Sequence, residues 1–240
     1  FLNLVYGVVE EHIHAFGLIR MPDGIATYHI NGVDYIVTAN EGDSREWGEY
    51  LNEDERNFGK GETSPTGKIT AENSGLTGKV VFFDSSDYDG LDSEFDYLFG
   101  GRSFTVFKAD EQGLTEIYTS GNEFEAKTAG YELEHFNCSN DNNDIDDRSG
   151  KKGVEAENVT IGNVGEKIYA FIGLERIGGV MMYDVTNPEK ISYANYINSR
   201  DFSADIAGDD SPEGLCFISE SESLDGNAHF GITKRRRYTL

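Results

Sequence analysis

Pro22-Asp23-Gly24-Ile25-Ala26-Thr27-Tyr28, followed by Asp34-Tyr35-Ile36-Val37-Thr38-Ala39-Asn40-Glu41, is a pattern that recurs along the chain and reveals its architecture. It holds two short apolar runs, an acid at the start of the first and an acid at the end of the second. The same pattern returns as Ala156-Glu157-Asn158-Val159-Thr160-Ile161 with Ile168-Tyr169-Ala170-Phe171-Ile172-Gly173-Leu174-Glu175. A third copy opens at Pro212-Glu213-Gly214-Leu215-Cys216-Phe217-Ile218. Runs of Val, Ile, Tyr and Phe bounded by Gly, Asn and Asp are strand signals. A supersecondary unit repeated along a chain is the mark of a repeat architecture.

The match extends past the second strand. Gly100-Gly101-Arg102-Ser103-Phe104-Thr105-Val106-Phe107 parallels Gly178-Gly179-Val180-Met181-Met182-Tyr183-Asp184, and one further strand follows each, at 114–119 and 191–198. The unit therefore has four strands. Residues 155–201 form a compact copy, 22–124 a copy interrupted by an insertion at 42–99, and 212–240 an incomplete one. Four antiparallel strands in about 45 residues is the blade of a β-propeller. The expected fold is all-β: a single domain over 1–240, a partial β-propeller of about two and a half blades. Rings close with roughly four to eight blades, so the chain reads as part of a larger propeller. With no initial Met and no basic leader before Phe1–Val9, it reads as a segment of a longer protein.

Acids outnumber bases, 44 Asp and Glu against 20 Lys and Arg, for a net charge of −24. Such a surface repels nucleic acid and attracts hard cations, Ca²⁺ above all. In a four-stranded meander the start of the first strand and the end of the second lie at one end. Asp23 and Glu41 should share that end, as should Glu157 and Glu175, with Glu213 in the third copy. The acid-rich connections emerge there too, including Glu41 to Glu55, Asp84 to Asp96, Asp141 to Asp147 and Asp201 to Asp210. Each block alone reads as a solvated loop. Their convergence makes Asp23, Glu41, Asp43, Glu157, Glu175 and Glu213 the candidate Ca²⁺ ligands. A secondary candidate is the partial calcium loop from Ser85 to Asp96, with Asp87, Asp89 and Asp96 as its acids; an ordinary acidic loop is the alternative reading of that segment.

For catalysis, no nucleophile elbow, phosphate loop or His-Glu-x-x-His motif is present. A metal-dependent phosphoesterase of phytase-like or alkaline-phosphatase-like type is the alternative reading. Glu41, Arg45 and Arg176 would then be its working residues, with neutralisation of nearby acids as the plainer role for the arginines. Cys138 and Cys216 pair or stay free; the spacing does not choose. Sequons stand at Asn137-Cys138-Ser139 and Asn158-Val159-Thr160. No apolar run is long enough to cross a membrane as a helix.

Met21-Pro22-Asp23-Gly24-Ile25-Ala26, Val37-Thr38-Ala39-Asn40-Glu41-Gly42-Asp43-Ser44-Arg45 and Tyr169-Ala170-Phe171-Ile172-Gly173-Leu174-Glu175-Arg176-Ile177-Gly178-Gly179 closely resemble the choice-of-anchor I domain family. So do Asn198-Ser199-Arg200-Asp201-Phe202 and Pro212-Glu213-Gly214-Leu215. The resemblance runs over roughly residues 17–230. It implies a secreted or surface-anchored glycoprotein, with matrix or mineral as partner and a link to biomineralisation; bacterial relatives carry an alkaline-phosphatase label. The chain departs from the family pattern at Val154-Glu155-Ala156-Glu157-Asn158, where Asn158 replaces a turn glycine, and at Ile232-Thr233-Lys234-Arg235-Arg236-Arg237, where positive charge replaces a final Glu. Because burying those cations is costly, residues 232–240 are expected to be unpaired.

Overall fold

The computed structural model describes residues 16–84, 86, 88, 90–204 and 207–234. The chain begins with β1 (Phe16–Ile19), β2 (Ile25–Ile30) and β3 (Val33–Asn40), then the two-residue strands β4 (Glu46–Trp47) and β5 (Tyr50–Leu51). Next come β6 (Glu53–Asn57), the one-turn helix α1 (Ala71–Ser74), β7 (Lys79–Phe83), β8 (Asp96–Phe99), β9 (Ser103–Asp110) and β10 (Gly113–Thr119). Helix α2 (Glu123–Tyr131) precedes β11 (Ala156–Val164), β12 (Lys167–Leu174), β13 (Val180–Asp184) and β14 (Ser192–Ile197). A hairpin of β15 (Pro212–Ile218) and β16 (His229–Lys234) follows. The protein is all-β in character, built of small sheets, and among the described residues none closes into a barrel.

One sheet is ordered β10-β9-β3-β2, so β3 pairs with β9 across the whole insertion, Val37 opposite Val106. A second is the meander β11-β12-β13-β14. Their inner faces share one apolar core that includes Val37, Phe104, Val106, Val159, Ile172 and Met181. Tyr183 and Phe104 meet in it with ring centroids 4.6 Å apart, and the Tyr183 hydroxyl donates to Glu123 of α2 at 2.9 Å. That bond satisfies the polar end of an otherwise apolar side chain.

The first strands of the units lie together, β11 packing against both β2 and β15. Gly24 is what lets β2 approach. A Cβ there would stand 2.6 Å from Asn158 Cα, and the Gly24 N–H donates to the Glu157 carbonyl at 2.9 Å. On the other side, Phe217 of β15 covers Gly162, where a Cβ would meet its ring at 2.3 Å.

The insertion is more than acidic loop. Residues 53–99 supply β6, β7 and β8, and β1 joins them in the order β1-β8-β7-β6, parallel to β8. Lys79-Val80-Val81-Phe82-Phe83 explains why. Val80 and Phe82 face one core with Phe58, Ile69 and Leu76; Val81 and Phe83 face another with Phe99. An apolar run without alternation belongs to a strand buried on both faces.

One expectation changes, and two points left open by the sequence are answered. Residues 232–234 are paired, Ile232 with Leu215 and Thr233 with Gly214. The backbone ladder needs no buried cation there, since Ile232 and Thr233 are exposed; residues 235–240 lie outside the described residues. The two cysteines are free, Cys138 buried and Cys216 exposed. Asn137 is fully buried and its amide donates to Glu125 and Ser149, both at 3.0 Å, so that sequon has no accessible side chain in the folded protein.

Candidate metal centre

Glu41, Glu157, Glu175 and Glu213 are each placed at or beside a strand end. Glu41 follows β3 directly, and Glu175 follows β12. Glu157 sits near the start of β11 where the pairing to β12 shifts register between Ala156 and Val159. Such a bulge re-aims a side chain out of the regular alternation. Glu213 occupies the corresponding irregularity between Pro212 and Gly214 of β15. The Gly24 to Glu157 backbone bond brings the two sheets together at this end, and the Glu175 N–H donates to the Glu155 carbonyl at 2.9 Å.

The result is a group of three carboxylates, Glu41, Glu157 and Glu175, each offering an oxygen within 4.8 Å of the others. Glu41 comes from one sheet, Glu157 and Glu175 from the next. Oxygens on opposite sides of a Ca²⁺ ion stand up to about 5 Å apart, so the spacing fits that ion. Hard oxygen donors without imidazole or thiolate suit it as well. One donor atom is conspicuous: Glu157 Oε2 is buried and accepts no hydrogen bond from the protein. A buried carboxylate oxygen left so is costly unless a proton or cation meets it.

The other acids are placed differently. Asp43 is paired to Lys152, and Asp23 is exposed at the rim. Glu213 is partly buried and outside the group of three. Asp96 is buried in the insertion sheet, where it accepts from the Thr66 N–H at 2.9 Å and the Thr66 hydroxyl at 2.7 Å. It therefore serves that turn and is not gathered with the glutamates. Asp87 and Asp89 lie outside the described residues. Arg45 is exposed, its guanidinium 4.9 Å from the Tyr88 ring centroid and 5.8 Å from that of Trp47. Arg176 is occupied by Glu155 at 2.7 Å, Glu175 at 3.2 Å and Asn140 at 3.1 Å.

A layer of paired charges underlies the glutamates, and of its members only Arg176 was singled out from the sequence. Glu155 is fully buried at a left-handed φ of 51° and pairs with Arg148, Arg176 and Lys152, the last at 3.3 Å. Lys152 also reaches Glu41 at 3.1 Å. The signal was Lys151-Lys152-Gly153-Val154-Glu155 just ahead of β11, but nothing local says that these residues fold back onto Glu41.

The electrostatics separate two kinds of acid. Burial tends to raise the Glu155 pKa, but Lys152, Arg176 and Arg148 outweigh it and hold Glu155 ionised. Burial pushes Glu157 up to about 8, and the charges of Glu41, Glu175, Asp23 and Glu155 add to the shift. Glu41 and Glu175 move up as well, mainly by burial, against the pull of Lys152 and Arg176 respectively. A carboxyl raised above its ordinary 4.5 binds more protons folded than unfolded. Stability without divalent ions should therefore fall as pH rises from about 4.5 to about 8. Melting curves in chelator across that range test this; a Tm that climbs steadily to pH 8 would contradict it.

The family model for the choice-of-anchor I domain matches residues 10–188, which include Glu41, Glu157 and Glu175. Gigasin-3a of Magallana gigas is 33% identical over 92 residues, covering 36% of this chain and 32% of its own length. The mesenchyme-specific cell surface glycoprotein of Strongylocentrotus purpuratus is 26% identical over 214 residues, 75% of this chain and 27% of its own. The chain thus spans about a third or less of the curated relatives it matches. Among the described residues no helix is long and apolar enough to cross a membrane.

Proposed function

Because the chain belongs to the choice-of-anchor I domain family, we propose that it is an arc of a β-propeller in a cell-surface or secreted protein, with a Ca²⁺ site at Glu41, Glu157 and Glu175. The observation that carries the reading is the meeting of three carboxylates from two sheets around a buried oxygen without a hydrogen-bond donor. The side-by-side packing of β2, β11 and β15 supports the propeller, since first strands line the centre of such a ring. The cell-surface setting rests on the name of the Strongylocentrotus purpuratus relative.

Bound there, Ca²⁺ supplies positive charge to groups that otherwise repel one another. Glu41, Glu157 and Glu175 would hold it, and Glu155 with its cations keeps them in place. The exposed acids Glu46 and Glu49 near Glu41 suit contact with matrix or a calcium-bearing mineral. Binding is favoured over phosphoester hydrolysis because Arg176 is engaged by its own carboxylates and Arg45 lies against Tyr88 and Trp47. Among the described residues, the two arginines singled out for gripping a phosphate are thus already engaged elsewhere.

Calorimetry with CaCl₂ is the test. Extracellular sites of this kind bind with dissociation constants of about 0.1–1 mM. At about 10 mM Ca²⁺ that adds roughly 1.4–2.7 kcal/mol of stability. A Tm rise of several degrees at pH 8 is the expected outcome; neither heat nor a shift at that concentration would sink the proposal.

A further inference from the structure

The cation centre carries a counter-ion of its own. Lys152 reaches it from a residue 111 positions away in sequence from Glu41. Its Nζ lies 3.1 Å from Glu41 and 3.3 Å from Glu155, and it donates to Asp43 as well. An ammonium has three donors and no acceptor, so these carboxylates occupy it completely. The side chain is only 11% exposed. Its main chain is fixed by contact with Gly100, whose missing Cβ would lie 3.0 Å from Lys152 Cα.

The partners are not equivalent. Glu41 belongs to the group of three carboxylates; Asp43 and Glu155 do not. We infer that Lys152 is a positioning residue that sets the affinity of the centre: it holds Glu41 while no divalent ion is bound, competes with the ion for that carboxylate, and stays on Asp43 and Glu155 once Glu41 turns to the ion. This rests on the Ca²⁺ reading above. Two features make the exchange feasible. Lys152 keeps two anionic partners afterwards, so no buried charge is left alone. Asp43, with its side chain 59% exposed, can follow the ammonium without disturbing a core. A positive charge so near a divalent ion opposes its binding even after screening.

Lys152→Met keeps the packing of the stem and removes the charge. In calorimetry with CaCl₂ its affinity should rise at least about tenfold, with a lower Tm in chelator and recovery when Ca²⁺ is added. Lys152→Arg, which keeps the charge, should stay within about threefold of the wild type. A second measurement does not depend on a variant folding. In the wild type, labelling with an amine-reactive reagent, read by mass spectrometry, should speed up at Lys152 when Ca²⁺ is added. The rate at exposed Lys151 should not change. Equal Ca²⁺ affinity in wild type and Lys152→Met overturns the inference and leaves the site standing. If Lys152→Met does not fold, a Lys152 labelling rate unmoved by Ca²⁺ overturns it in the same way. Absence of Ca²⁺ binding to both proteins removes the site and the inference together.

Discussion

Glu155→Gln should lower the melting temperature on the order of 10 °C, converting about 3–5 kcal/mol at roughly 2–4 °C per kcal/mol. The substitution preserves volume and tolerates the same left-handed backbone, so charge is the main variable. Glu155 is fully buried and faces Arg148, Arg176 and Lys152. Lys152 would keep Glu41 and Asp43, and Arg176 would keep Glu175. Arg148 would lose its carboxylate. Removing one member of a buried ion network is costly because the others remain desolvated without compensation. Thermal denaturation in chelator measures it. A Tm within about 2 °C of the wild type, less than roughly 1 kcal/mol by the same conversion, would mean that Glu155 is not the keystone of this charge network.

Glu41→Gln should raise the Ca²⁺ dissociation constant at least tenfold, on the order of 1.4 kcal/mol or more, and abolish the Ca²⁺-dependent Tm shift at about 1 mM. It replaces a charged ligand by a neutral one of the same shape, and ligand charge count is what tunes such sites. The apo protein should not suffer equally. Lys152 retains Asp43 and Glu155, and one source of repulsion at Glu157 disappears. Destabilisation with Ca²⁺ present but little without it is therefore the expected signature. Glu111→Gln, in the exposed turn between β9 and β10, serves as the control and should leave binding unchanged. Equal binding by Glu41→Gln and wild type would remove Glu41 from the site.

Much of the architecture was legible along the chain because strands are encoded locally. Apolar runs such as Asp34 to Glu41 and Ile168 to Glu175, cut by Gly, Asn and Asp, are enough to identify an all-β protein. Recurrence of the pattern also pointed past the insertion to β9, which pairs with β3. The insertion was read less well. Lys79-Val80-Val81-Phe82-Phe83 is a strand by composition, but its partners are β6, β8 and, through β8, the parallel strand β1 from ahead of the repeat. Nothing in a short window reports such pairings.

The strand-rich class, the family strings and the regular appearance of acids at strand ends are all written along the chain. Which acids meet is a property of the folded sheets. A bulge in β11 and the close approach of Gly24 bring Glu157 beside Glu41 and Glu175. The fold instead turns Asp96 to Thr66 and Asp43 to Lys152. Strand formation depends on a side chain's neighbours along the backbone. A carboxylate's role depends on what desolvates it and which charges lie within a few ångströms, and those come from residues as far apart as Glu41 and Lys152.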